Sequence, residues 1–242
     1  MSQTSPQTDK ASALRRLSLA VMSCGRCPYG KIRTIPVNGD GEPRSPILVV
    51  GEAVRQTDHA EEVPFGGRSG KKLDALLERA EINPHHVYRT LCVRCYGGRE
   101  PEFPVGAASK RCRPHLVATV KIMRPRVMVL CGMRALKWVL LRWTNERVDD
   151  KTFSKWVGPA FRLKEIWGDI KLFVIHSPAD MARTRMPDEE DRCVEALSLM
   201  KQYVVSQQQQ SNTALPFSDL YRRRGGGRQA QFKWSNPGEL VK

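Results

Sequence analysis

Residues 47–70 read ILVVGEAVRQTDHAEEVPFGGRSG, and this stretch decides the fold class. Its first four residues are apolar without polar alternation, which predicts a short strand covered on both faces. The strand ends in Gly51-Glu52, and a polar loop then leads to Pro64-Phe65 and a glycine-rich turn. A simple connection needs neither the acid nor the aromatic ring. The loop is therefore a candidate site for a flat ligand.

Short apolar segments of the same kind recur along the chain. Strands are predicted at 47–50, 87–91, 126–130 and 171–175, and helices at 71–80, 107–123, 133–143 and 189–205. This alternation predicts an α/β fold, with a doubly wound central parallel sheet of about four strands and flanking helices. The ligand site of such a sheet lies at the carboxyl ends of its strands. Residues 51–52, 91–95 and 176–177 should therefore lie close together.

The composition divides the chain into three parts. Residues 1–21 are predicted to form an N-terminal extension, 22–205 one folded domain, and 206–242 a flexible basic tail rich in Gln, Arg and Gly. The tail interleaves basic and aromatic residues. It is either a nucleic-acid contact or a disordered, solubilising end.

The net charge of the chain indicates the class of its binding partner. The 242 residues include 40 Lys and Arg against 25 Asp and Glu, a formal net charge of +15. Such an excess favours a polyanion, most commonly nucleic acid, although it also serves solubility alone. No apolar segment reaches the length of a membrane span, and the start has no signal-peptide region. We therefore expect an intracellular, cytoplasmic protein without membrane association.

The chain has seven cysteines, and their odd number argues against a disulfide framework. Cys24, Cys27, Cys92 and Cys95 form two Cys-x-x-Cys pairs, the usual spacing of a four-cysteine zinc site. A second possible quartet replaces Cys92 with Cys112, whose scattered positions suit a cuboidal iron–sulfur cluster. Spacing alone slightly favours zinc, and unligated thiols are a third possibility.

The motifs follow one another in an order that resembles the iron–sulfur, family 4 uracil-DNA glycosylases and their relatives. In chain order they are Cys24-Gly-Arg-Cys27, Gly51-Glu52-Ala53, Pro64-Phe65 with the turn 67–70, Leu91 with Cys95, Cys112-Arg-Pro-His-Leu, RPRVMVLCGMRAL at 124–136 and HSPADMAR at 176–183. The succession covers about residues 22–200. It is more specific than any single motif.

The resemblance implies a cofactor and a partner. It implies a structural [4Fe–4S] cluster held by Cys24, Cys27, Cys95 and Cys112, and it leaves out Cys92. The resemblance therefore favours an iron–sulfur cluster, and zinc is the alternative. It also implies that the partner is DNA, and we expect the protein to act as a monomer.

The same resemblance implies roles around a base that is flipped out of the duplex. Glu52 and His176 are the candidate catalytic residues. The base-binding candidates are Ala53, Phe65, Leu91 and Ser177, and the phosphate-binding candidates are Gly67, Ser69, Gly70, Arg183 and Arg185. The physical chemistry agrees, because a flipped base needs an aromatic face and a helix N-terminus favours phosphate. An acid beside the sugar stabilises the positive charge that develops there.

Three positions depart from the family pattern. Val54-Arg55 replaces a Pro-Gly pair, Leu91 replaces the Asn that reads the uracil edge, and either His176 or Ser177 takes the late His position. Leucine forms no side-chain hydrogen bond, so specific excision of uracil loses its main discriminating group. The expected function is a DNA glycosylase that removes uracil or another modified base and leaves an abasic site. The alternative is a catalytically degenerate nucleic-acid-binding module.

Overall fold

The computed structural model describes residues 6–32, 35–98, 104–140, 149, 152–158, 161–162 and 170–210. Its centre is a six-stranded sheet with the strand order β1-β3-β2-β4-β6-β5. The strands are β1 (Asp40–Gly41), β2 (Ile47–Ala53), β3 (Tyr88–Val93), β4 (Val127–Cys131), β5 (Phe161–Arg162) and β6 (Lys171–Ile175).

The four central strands run parallel and confirm the predicted doubly wound sheet. Val50 of β2 pairs with Thr90 of β3 on one side and Leu130 of β4 on the other. Leu130 in turn pairs with Val174 of β6. The outer strands β1 and β5 are two residues each and run antiparallel to their neighbours. The sheet is therefore mixed at its edges, where such short strands leave little backbone open to another chain.

The helices surround this sheet. They are α1 (Pro6–Met22), α2 (Tyr29–Ile32), α3 (Gln56–Glu61), α4 (Gly67–Arg79), α5 (Val105–Met123), α6 (Met133–Leu140), α7 (Pro178–Met181) and α8 (Pro187–Gln210). The four predicted helices correspond to α4, α5, α6 and α8. Helix α4 begins at Gly67 because the glycine-rich turn is itself the first turn of the helix. The predicted end of α6 at residue 143 lies outside the described residues.

Burial explains why the strands lack polar alternation. The side chains of Ile47, Leu48, Val49 and Val50 are completely buried, since helices cover both faces of β2. Among the described residues, no helix combines the length and apolar character that a membrane span requires.

The N-terminal helix contributes to the folded body. Helix α1 lies in the predicted N-terminal extension and packs against α5. Leu14 and Val21 are buried, and Lys10 Nζ donates a hydrogen bond of 2.7 Å to the carbonyl oxygen of Met123. At the other end, residues 206–210 continue α8, and the rest of the predicted tail lies outside the described residues.

Gly70 provides a test of how closely helix α4 packs against the turn that carries Phe65. A Cβ at Gly70 would lie 2.0 Å from the carbonyl oxygen of Phe65. We therefore expect Gly70→Ala to destabilise the protein by about 1–3 kcal/mol, the usual cost of overpacking. Gly106 in α5 is the matched control, because the nearest atom to its added Cβ is Trp138 Nε1 at 3.8 Å. Gly106→Ala should be neutral or stabilise by up to about 1 kcal/mol. The urea midpoints measure both effects, and a Gly70→Ala midpoint equal to the native one would contradict the prediction.

Candidate active site

The carboxyl ends of β2, β3 and β6 meet beside α4 and form a small pocket. Six of the predicted site residues line it: Glu52, Ala53, Phe65, Ser69, Leu91 and Ser177. Of the strand-end segments expected to lie close together, residues 51–52, Leu91 and Ser177 share this pocket. Gly67, Gly70, His176, Arg183 and Arg185 do not line the pocket.

Gly51 sets the shape of the pocket. A Cβ at this position would lie 2.6 Å from Leu91 Cδ2 and 2.7 Å from Phe65 Cζ, so only glycine allows both side chains to close over β2. Phe65 itself has a φ of +61°, in the left-handed region that a bulky residue rarely occupies. Backbone strain of this kind is concentrated at functional sites. The position of the aromatic ring therefore depends on the left-handed backbone of Phe65 and on the absence of a side chain at Gly51.

Asp58 ties the loop after β2 to the turn that carries Phe65. Its carboxylate accepts a hydrogen bond of 2.7 Å from the backbone N–H of Arg55 and one of 2.6 Å from the backbone N–H of Gly66. The side chain is buried, and burial raises its pKa while the two backbone donors oppose this shift. The sequence analysis did not identify Asp58 as part of the site.

Glu52 lies at the mouth of the pocket against the start of α6. Its Oε1 atom accepts a hydrogen bond of 3.3 Å from the backbone N–H of Arg134. Its Oε2 atom lies 3.9 Å from Arg55 Nη2 and 3.9 Å from Arg134 Nη1. Burial raises the pKa of Glu52, while Arg134 and, more weakly, Arg55 act against this shift. Glu52 is thus a partly buried acid, with its side chain 13% exposed, and has two cationic neighbours.

The late loop brings Ser177, rather than His176, next to this acid. Ser177 is buried and lines the pocket together with Glu52. His176 points to α8, where its Nε2 atom lies 2.7 Å from Glu189 Oε2, and its ring packs edge-on against Phe153. Of the two alternatives for the late His position, Ser177 is the one beside Glu52.

A wider groove opens outside the pocket. It is lined by the aromatic residues Tyr96, Trp138 and Phe153, by His176, and by the basic residues Arg55, Arg134 and Arg183. The groove encloses about 1020 Å³, whereas the inner pocket has about 20 Å³, which is room for one water molecule. A ligand as large as a nucleobase therefore fits the inner pocket only after side chains that line it move.

The predicted phosphate site at the start of α4 is already bonded within the protein. The backbone N–H of Gly67 donates a hydrogen bond of 2.9 Å to Glu61 Oε2, and Ser69 Oγ donates one of 2.8 Å to the Gly66 carbonyl. Gly70 is buried and serves packing. A phosphate at this turn would have to displace the exposed Glu61 carboxylate.

The other predicted phosphate contacts lie on the late loop. Arg183 forms an ion pair with Asp180 and lines the groove, and its side chain is 61% exposed. Arg185 is exposed between α7 and α8. Both arginines are therefore accessible from solvent, and Arg183 lies at the groove.

Four cysteines converge at a second place in the fold. Cys24, Cys27, Cys95 and Cys112 line one small pocket between the loop after α1, the end of β3, and α5. Burial raises the pKa of the Cys112 thiol, the backbone N–H of Arg94 opposes this shift, and the neighbouring Cys27 and Cys24 reinforce it. The thiols of Cys24 and Cys27 are therefore close enough to influence that of Cys112.

The lining of this pocket distinguishes between the two cysteine quartets. Cys112 lines it together with Cys24, Cys27 and Cys95, whereas Cys92 lies in β3 within the main hydrophobic core and does not line it. Four cysteines from three segments fit the donor set of an iron–sulfur cluster. Among the described residues, no three His, Cys, Asp or Glu side chains are placed as ligands of a single metal ion. The fold therefore brings together the quartet with Cys112 and not the quartet of the two Cys-x-x-Cys pairs.

Several residues of the site were not predicted from the sequence. Arg134 and Trp138 lie just after β4, so the rule that ligands bind at the carboxyl ends of strands pointed to their segment. Asp58 and Glu189 carry no such signal, because one caps a short helix and the other reaches the site from α8.

The sequence of this chain matches a known protein family. The family model for the uracil-DNA glycosylase superfamily matches residues 38–198. A type-4 uracil-DNA glycosylase of Sulfurisphaera tokodaii is 31% identical over 170 residues, which cover 69% of this chain and 74% of that protein. A type-4 uracil-DNA glycosylase of Archaeoglobus fulgidus is 29% identical over 160 residues, covering 66% and 78% respectively. The chain belongs to the uracil-DNA glycosylase superfamily, as a divergent relative of its type-4 members.

Proposed function

We propose that this DNA glycosylase hydrolyses the N-glycosidic bond of a flipped uracil or other modified base in DNA and leaves an abasic site, as a step of DNA repair. The observation that carries the proposal is the position of Glu52 in one pocket with Phe65 and Ser177. The names of the two type-4 relatives support uracil as a substrate at the level of the family.

The residues of the pocket serve different parts of the reaction. The ring of Phe65 gives the flipped base an aromatic face in exchange for its lost stacking. The bond between C1′ and the base nitrogen breaks, and its electron pair leaves with the base. The carboxylate of Glu52 stabilises the positive charge on the sugar. A water oxygen then bonds to C1′ and gives up a proton, and the base takes up a proton, so the net reaction is hydrolysis.

Leu91 separates this protein from a uracil-specific enzyme. Its side chain is 4% exposed and packs over Gly51, where it fills the inner pocket without offering a hydrogen bond. Recognition of a base edge must therefore come from other groups. This supports a substrate range that is not restricted to uracil.

The four converging cysteines support a [4Fe–4S] cofactor. Cys24 and Cys27 would hold it from the loop after α1, Cys95 from the end of β3 and Cys112 from α5. When bound, such a cluster supplies a covalent crosslink between these three segments.

The groove with Arg55, Arg134 and Arg183 supports DNA as the partner. We propose that one copy of the chain acts alone.

Cysteine replacement tests the cofactor. Native protein purified without oxygen should absorb broadly at about 400 nm, as thiolate-bound iron–sulfur clusters do. Cys112→Ala should lose this absorbance and the bound iron. Cys92→Ala is the matched control, since Cys92 lies outside the cysteine pocket, and it should retain both. A colourless protein with one zinc ion that is lost in Cys92→Ala would reject the cluster.

Replacing Glu52 should have opposite effects on activity and stability. Glu52→Gln should slow base release about 10²-fold or more, because the charge matters most as the sugar becomes cationic. Burial raises the pKa of Glu52 in the folded protein despite Arg134 and Arg55, with Asp180 adding to the shift. Ionisation of Glu52 therefore costs folding stability above that raised pKa, and the cost is absent below the ordinary glutamate pKa of about 4.3.

The corresponding measurement is urea unfolding at two pH values. At pH 7, Glu52→Gln should have a higher midpoint than the native protein, and the difference should disappear near pH 4. Glu195→Gln is the control, because Glu195 is exposed on α8. It should change neither the midpoint nor base release. A lower midpoint for Glu52→Gln at pH 7 would show that the two arginines outweigh the cost of burial.

Leu91 provides the test of the pocket. Leu91→Asn should increase uracil release from DNA, because the amide restores donors and acceptors for the base edge. Leu91→Ala is the control, since it makes room without an amide, and it should increase uracil release less. Gel detection of abasic sites after alkali measures both. Efficient uracil release by the native protein would show that Leu91 does not exclude uracil. If neither native protein nor variants release a base from a broad panel, the chain is a binding module.

A further inference from the structure

The pocket lacks an obvious group to assist the departing base. When the glycosidic bond breaks, an oxo-substituted base leaves as an anion with its charge on the ring carbonyl oxygens. A positioned donor or cation at these oxygens lowers the barrier. His176 is not in position for this role, because its Nε2 atom lies 2.7 Å from Glu189 and it does not line the inner pocket.

Arg55 is in the right place. Among the described residues that line the inner pocket, it is the one cationic side chain, and it shares the pocket with Phe65 and Leu91. Its Nη2 atom lies 3.9 Å from Glu52 Oε2 and 4.0 Å from Asp180 Oδ1. Both distances exceed hydrogen-bond length, so the guanidinium is held near the pocket by charge while its N–H groups can turn to a ligand.

Arg134 is the natural comparison. It lies at the same 3.9 Å from Glu52 Oε2, but it lines only the outer groove, and its side chain is 64% exposed against 38% for Arg55. Arg134 also binds Glu52 through its backbone N–H. The two arginines therefore differ in position: Arg134 contacts Glu52 from the outer groove, whereas Arg55 lines the inner pocket.

We propose that Arg55 is a catalytic residue that donates hydrogen bonds to the carbonyl oxygens of the departing base. This inference rests on the glycosylase function proposed above. The guanidinium has five donors and no acceptor, so it matches carbonyl oxygens and not amino groups. As the C1′–N bond breaks, the electron pair passes to the base nitrogen and its conjugated oxygens, where Arg55 stabilises it. The base later takes its proton from water, and Arg55 stays protonated throughout.

The test uses two bases that differ in how readily they leave. Oligonucleotides carry either uracil or 5-fluorouracil, whose fluorine stabilises the departing anion. Release is measured in single turnover with excess protein, so that differences in binding do not enter the rate. Arg55→Gln should slow uracil release about 10²-fold, the typical effect of removing such a donor. It should slow 5-fluorouracil release about tenfold less, because a better leaving group needs less help.

Two variants serve as controls. Arg134→Gln removes the same charge from the same acid, and it should slow the release of both bases by the same factor. Arg55→Lys keeps the charge and should recover part of the uracil rate. The helix cap survives each Arg55 variant, because Asp58 binds the backbone N–H of this residue and not its side chain. Unchanged circular dichroism should confirm this.

Three outcomes would overturn the proposal. If Arg55→Gln slows both bases equally, Arg55 does not act on the leaving group. If it weakens DNA binding and leaves both single-turnover rates unchanged, Arg55 contacts the DNA backbone. If the native protein releases neither base, the proposed function fails for oxo-substituted pyrimidines, and the role of Arg55 fails with it. The first two results leave the glycosylase function intact, so the two failures are distinguishable.

Discussion

The close approach of Phe65 and Leu91 to Gly51 is the contact on which the site depends. Two side chains from different elements, the turn before α4 and strand β3, occupy the space that any side chain at residue 51 would need. This contact places an aromatic ring over the end of β2 and beside Glu52. It also explains why Phe65 keeps a left-handed backbone: the ring reaches the strand from there, and the packing offsets the strain.

Strand β3 connects the two special sites of the molecule. Leu91 lines the inner pocket, and four residues later Cys95 lines the cysteine pocket. A cluster bound at Cys95 would therefore hold the end of the strand that shapes the inner pocket. Arg94, between these two positions, is buried, and its side chain donates a hydrogen bond of 2.6 Å to Thr119 of α5. This bond joins β3 to the helix that carries Cys112.

The sequence predicted the parts of the structure that depend on continuous burial. The four central strands are apolar because both faces are covered, and their carboxyl ends locate Glu52 and Leu91. Strands β1 and β5 were not predicted, since two residues show no periodicity. The direction of the side chains after β6 could not be predicted either. His176 points to α8, whereas the next residue, Ser177, lines the inner pocket. Asp58 was missed because its role depends on contacts between segments that only the folded chain brings together.

The two hydrogen bonds of Asp58 give the site a mechanical property. They join the backbone at Arg55 to the backbone at Gly66, next to the strained Phe65. A displacement of the backbone at Gly66 therefore also pulls on the backbone at Arg55. Where the pocket opens by movement of the turn that carries Phe65, rather than at Leu91, Arg55 moves with this turn and its charge shifts relative to the pocket.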